Sequence, residues 1–185
     1  RSRRSFRVIE RALLVGADRF DVRVVSFSVQ GNHMHLLVEA ACRLALGRSM
    51  KGLSVRIAKG LNAMMRRRGR VLGDRYHARA LCTPTEANRA MHYIRDNARK
   101  HAAQRGDVYS PRYVDPYSSA GAPHVQLPAA KTWLLCAGWQ RAGPSARQVR
   151  HRSYFPRILR SAVSQVECSG ERPKHYTRGR GGSRA

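Results

Sequence analysis

The sequence predicts an α+β domain in which an antiparallel sheet packs against long amphipathic helices. Alternating apolar segments on either side of Gly31-Asn32 read as a β-hairpin. Two later stretches place apolar residues three or four apart, the period of a helix face. At 185 residues the chain suits one domain of ordinary size plus an extension.

The elements follow in order. Phe6, Ile9, Leu13 and Leu14 fall at near-helical spacing within residues 5–17, and Gly16 is a stop signal, so a first helix is expected there. Phe20 to Val29 alternates and is rich in Val and Phe, as a strand should be. Gly31-Asn32 tolerates positive φ, and His33 to Ala40 returns as the second strand of the hairpin. Leu36-Leu37-Val38 is apolar on both faces, which predicts a central strand. Over residues 44–68, Leu46, Met50, Leu53, Ile57, Leu61 and Met64 make one stripe of a long helix, and Gly69 and Gly73 punctuate its end. Residues 71–82 are the next strand candidate. Thr83-Pro84-Thr85-Glu86 then supplies an N-cap, a proline at the first helical position and a capping-box glutamate. That helix is expected to reach Ala103 and to bury Ala87, Met91, Ile94 and Ala98.

Beyond Gly106 the texture turns to Pro, Ser and Tyr, and residues 106–169 read as an irregular C-terminal extension of a 1–105 domain. Within it Trp133-Leu134-Leu135 and Trp139 are expected to dock a short helix, and Tyr154-Phe155-Pro156 a further contact. Residues 170–185 read as a disordered basic tail. The chain starts at Arg1 without a methionine, which suggests a truncated or mis-started frame.

Charge points to the partner. Lys+Arg 36 against Asp+Glu 11 gives a formal +25, an imbalance that repels itself unless a polyanion matches it, and nucleic acid is the obvious one. A membrane is not expected, since no apolar run approaches ~20 residues and none resembles a signal peptide. Cys42, Cys82, Cys136 and Cys168 form no CxxC pair and read as reduced thiols of a cytoplasmic protein.

Two constellations carry chemistry. On a strand His33 and His35 share one face while Met34 takes the other, and adjacent imidazoles can bind one divalent cation. The plainer reading is a pair of histidines on a partly wet sheet face. On the capped helix Tyr93 and Asn97, four apart, are neighbours on one face. A tyrosine can be a phosphoryl nucleophile, and an amide oxygen four residues along can join two imidazoles on a hard cation. For Tyr93 alone the plainer reading is a half-buried packing residue.

Ser26 to Val38, Asp74-Arg75-Tyr76-His77-Ala78-Arg79 and Ala90-Met91-His92-Tyr93-Ile94-Arg95-Asp96-Asn97 together resemble the motif blocks of single-tyrosine His-hydrophobic-His transposases. These include insertion-sequence enzymes and REP-associated tyrosine transposases, and the resemblance covers about residues 5–105. It implies a ferredoxin-like antiparallel sheet with helices on one face and the Tyr93 helix closing the site. It implies His33, His35 and Asn97 as ligands of Mg²⁺ or Mn²⁺ and Tyr93 as nucleophile. The activity implied is single-strand DNA cleavage and rejoining through a 5′-phosphotyrosyl intermediate. The family's fold begins with a strand before the first helix, and nothing before Ser5 supplies it. Relatives often carry Asn-Pro where this chain has Asn97-Ala98.

Arg75, Arg79, Arg95 and Lys100 are candidate phosphate contacts on single-stranded or hairpin DNA. His77 and His92 are better read as surface or strand histidines. The chain would act as a monomer or homodimer. The alternative function is a catalytically inactive, domesticated binder of structured DNA or RNA on the same fold. A zinc hydrolase lacks an evident carboxylate base near the histidine pair.

Overall fold

The structure, a computed structural model, describes residues 1–73, 75–142 and the strand at residues 162–169. Asp74, Tyr154-Phe155-Pro156 and the 170–185 tail lie outside the described residues.

The fold is α+β. Helix α1 (Arg3–Gly16) is followed by β1 (Asp18–Arg19), β2 (Val22–Val29), β3 (His33–Ala40), α2 (Arg43–Met64), β4 (His77–Leu81) and α3 (Pro84–Gln104). A short α4 (Trp133–Cys136) and a 3₁₀ turn (Gly138–Arg141) precede β5 (Ala162–Ser169). The strands form one antiparallel sheet in the order β1-β2-β3-β5-β4, so β3 is central, as its doubly apolar run requires. Among the described residues no strand precedes α1. The place between β3 and β4 is taken by β5, in a stretch whose sequence gave no sign of regular structure.

Alternation along β3 decides which helix covers which side. Met34, Leu36 and Val38 join Val22, Val24 and Phe27 beneath Phe6 and Leu13 of α1 and Leu46, Met50, Leu53 and Ile57 of α2. Leu37, with Leu81 of β4, packs on the other side against Ala87, Ala90 and Ile94 of α3 and Leu135 of α4. The helices therefore do not share one face: α1 and α2 form the main core, and the Tyr93 helix crosses the opposite face with the short α4 beside it.

Other differences from the sequence reading are local. Phe20 does not open a strand; Phe20 and Asp21 both have φ of 56° and turn β1 back onto β2, leaving Phe20 53% exposed. Helix α2 stops at Met64, before Arg66 at φ 51° and Gly69 at φ 104°. The buried residues of α3 are Ala87, Ala90, Ile94, Asn97, Ala98 and Ala102, while Met91 is only partly covered.

Residues 107–142 are strapped across the sheet by hydrogen bonds rather than by regular structure. The Tyr117 carbonyl accepts from the Val29 amide at 2.9 Å, and the Ser119 amide donates to the Phe27 carbonyl at 2.9 Å. Glu39, 4% exposed, accepts from the Lys131 amide at 2.9 Å, the Thr132 amide at 2.8 Å and the Thr132 hydroxyl at 2.6 Å. The expected short helix around Trp133 then docks on α3, where the Asn88 amide donates to the Trp139 carbonyl at 2.9 Å.

Candidate active site

Strand β3 presents His33 and His35 to the face that α3 crosses. On α3, Tyr93, Asn97 and His101 recur every fourth residue, one stripe of the helix. The start of that helix is held by a complete capping box. Thr83 Oγ1 accepts from the Glu86 amide at 3.2 Å, and the Glu86 carboxylate accepts from the Thr83 amide at 3.2 Å and the Cys82 amide at 2.8 Å.

Stripe and strand meet as a chain of four rings. The Tyr93 ring centre lies 5.0 Å from His35, His35 lies 4.8 Å from His33, and His33 lies 5.1 Å from His101. Lys100 sets its ammonium 4.9 Å from the Tyr93 ring centre. His35 and Asn97 are each 1% exposed, yet among the described residues both ring nitrogens of His35 and both amide atoms of Asn97 have no hydrogen-bond partner. Buried polar atoms are nearly always paired, and a site that departs from this needs a reason.

The tautomers can be assigned from neighbours. His33 Nδ1 lies 2.8 Å from Asn32 Oδ1, and His101 Nδ1 lies 3.0 Å from Gln104 Oε1. An amide oxygen only accepts, so each Nδ1 carries the proton and each Nε2 the lone pair. His35 is held down at about 4, first by burial, then by the electrostatic repulsion that a proton on it would meet from its coupling to His33, His101 and Lys100. At neutral pH it is therefore a neutral imidazole, the form that ligates metal.

The rings of His33, His35 and Tyr93 thus stand together on the face that α3 crosses, with Asn97 one helical turn from Tyr93, and the buried ring nitrogens of His35 and amide oxygen of Asn97 are donor types that suit a divalent cation. Among the described residues, no group of three or more His, Cys, Asp or Glu side chains is placed so that it could hold a metal ion. The four expected phosphate contacts scatter. Lys100 joins the Tyr93 ring, but Arg79 is tied to Glu86 at 2.9 Å and Arg95 to His92 Nδ1 at 2.8 Å. Arg75 is exposed before β4, and His77 and His92 are exposed too. The sequence reading missed His101 as a member of the site. Its signal was the same spacing of four, continued one step past Asn97.

Comparisons with family models, with curated proteins and with solved structures give no match. Among the described residues no helix is long and apolar enough to cross a membrane.

Proposed function

We propose that this chain is a metal-dependent single-strand DNA endonuclease and strand transferase with Tyr93 as its nucleophile. One observation carries the reading: a capped helix sets Tyr93 against His35 of the histidine pair, and the buried ring nitrogens of His35 and the amide atoms of Asn97 have no hydrogen-bond partner among the described residues. The motif resemblance and the formal +25 point the same way.

In the proposed reaction the Tyr93 oxygen attacks the scissile phosphorus. A phosphotyrosine bond forms, the bond to the 3′ oxygen breaks, and a free 3′ hydroxyl leaves. The phenol proton is lost to solvent and the leaving oxygen takes one from solvent, so charge and atoms balance. Attack by a second 3′ hydroxyl reverses the step and joins a new end. A divalent ion held by His33, His35 and Asn97 would polarise the phosphate. Lys100, beside the phenol ring, offsets negative charge that gathers there and on the phosphate. Burial of His35 keeps water from its nitrogens and the imidazole uncharged. The setting is taken to be cytoplasmic; Cys42, Cys82 and Cys136 are free thiols.

The test is covalent capture. End-labelled single strands bearing a hairpin are incubated with the protein and Mn²⁺, then run under denaturing conditions. The parent should give a protein–DNA adduct that peptide mapping assigns to Tyr93, and Tyr93→Phe should give none while still binding DNA. An adduct on another tyrosine overturns the assignment. No adduct on any strand tested favours the alternative, a non-catalytic binder of structured DNA or RNA.

A further inference from the structure

His101 stands next to the site with features that the proposed cleavage does not use. It lies one helical turn beyond Asn97, its ring centre is 5.1 Å from that of His33, and its Nε2 is buried with no hydrogen-bond partner among the described residues. The side chain is not merely packed. Gln104, three residues on, accepts the Nδ1 proton at 3.0 Å and so turns the lone pair of Nε2 away from the helix. Metal-bound histidines are commonly oriented this way, by an acceptor on the other nitrogen. Asn32 does the same for His33 at 2.8 Å.

Spacing supports a shared ion. Two imidazoles bound at about 2.0–2.1 Å to one tetrahedral ion hold their ring centres about 5 Å apart. The His33–His35 and His33–His101 separations are 4.8 Å and 5.1 Å. As the side chains stand, no three His, Cys, Asp or Glu among the described residues are grouped to hold an ion, so binding requires these rings to reorient.

We propose that His101 is a further ligand of the ion held by His33, His35 and Asn97. The resulting donor set, three imidazoles and one amide oxygen, takes a transition-metal ion such as Zn²⁺ or Co²⁺ in preference to Mg²⁺. Imidazole nitrogen suits such ions, whereas Mg²⁺ prefers oxygen donors and keeps its waters. This inference rests on the metal half of the reading above and is independent of whether Tyr93 attacks DNA.

Co²⁺ is the probe, because its visible absorption reports coordination and it shifts the proton signals of its ligands. The full chain, stripped with chelator, is titrated with Co²⁺ and followed by absorption and proton NMR. Three strongly shifted, exchangeable imidazole N–H signals are expected. His101→Ala should lose one of them and bind Co²⁺ at least about tenfold more weakly. Excess Mg²⁺ should not displace the bound ion. Two shifted signals in the parent, or unchanged Co²⁺ affinity in His101→Ala where His33→Ala binds none, would remove His101 from the centre and leave the other three ligands standing. No Co²⁺ binding by the parent overturns both the inference and the metal site beneath it. Should His101→Ala fail to fold, the signal count in the parent decides alone.

Discussion

Lowering the pH from 7 to 5 should destabilise the metal-free protein through His35. The unfolded chain protonates this imidazole at its ordinary value of 6.5, whereas the folded protein resists until about 4. Above pH 6.5 both states are neutral and the stability is intact. As pH falls through 6.5 the unfolded state takes up a proton that the folded state refuses, and stability is lost until the folded value is reached. A gap of about 2.5 in pKa, at about 1.4 kcal/mol each, makes the full effect about 3 kcal/mol, of which about 2 is gone by pH 5. Glu39 and Glu86 act lower. Burial pushes each up, but hydrogen bonds win: from Thr132 and Lys131 at Glu39, and from Cys82, Arg79 and Thr83 at Glu86. Both are held below 4.5, so their contributions are lost only as pH falls under that value. Urea denaturation in chelator at pH 7 and pH 5 isolates the histidine. With a slope near 2 kcal/mol per molar urea, the midpoint should drop by about 1 M. His35→Leu, which cannot titrate, should lose most of that drop. If parent and variant weaken equally between pH 7 and pH 5, His35 is not buried as a neutral base and the site's electrostatics are misread.

Three further outcomes are expected. Glu39→Gln exchanges a buried carboxylate that accepts three close bonds from residues 131–132 for a neutral amide that must donate; it should cost about 2–4 kcal/mol by urea titration and expose residues 107–142 to limited proteolysis. Glu86→Ala should cost about 1–2 kcal/mol and speed amide exchange in the first turn of α3, while Arg79→Ala, an exposed partner, should change stability by under about 1 kcal/mol. Affinity for single strands should fall with salt at a log–log slope of about −0.7 per phosphate neutralised, and removing residues 171–185, with Arg172, Lys174, Arg178, Arg180 and Arg184, should flatten that slope by up to about 3. A salt-independent affinity would contradict electrostatic binding altogether.

Where local chemistry decides the structure, the sequence was easy to read. The hairpin strand His33–Ala40 has the expected limits because Gly31-Asn32 can turn and because its apolar run demands two covered faces. The start of α3 is where Thr83, Pro84 and Glu86 put it. What failed to show was long-range. No pattern in residues 162–169 reveals that β5 inserts between β3 and β4, since strand pairing at that distance is set by the vacant edges of the sheet. The turn at Phe20-Asp21 was hidden because an aromatic residue rarely adopts positive φ. Glu39 drew no notice in the sequence, because only the chain folding back from residues 131–132 makes it a buried acceptor. His101 was hidden by the opposite error, a stripe cut short after the two residues that a motif had already explained.

The burial of that stripe is itself an argument about function. His35 and Asn97 hold four polar atoms away from water and without partners, and His101 adds a fifth. At about 1–3 kcal/mol for each unpaired group, the burden approaches the whole net stability of a typical domain, about 5–15 kcal/mol. Leucine or alanine in those places would fold better, so His35→Leu should be more stable than the parent at pH 7 in chelator. The molecule tolerates the burden because its other face carries the core. Phe27, Leu36, Met50, Leu53 and Ile57 are fully buried in the apolar core that α1 and α2 form with the sheet. A bound cation would repay the α3 face by satisfying lone pairs that no protein group reaches, with a stabilisation of about 2.7 kcal/mol when the ion is at a hundred times its dissociation constant. Zn²⁺ or Co²⁺ should therefore raise the urea midpoint of the parent and leave that of His35→Leu where it was. A midpoint that rises equally in both would mean that the ion binds elsewhere and that these polar atoms are buried for some other reason.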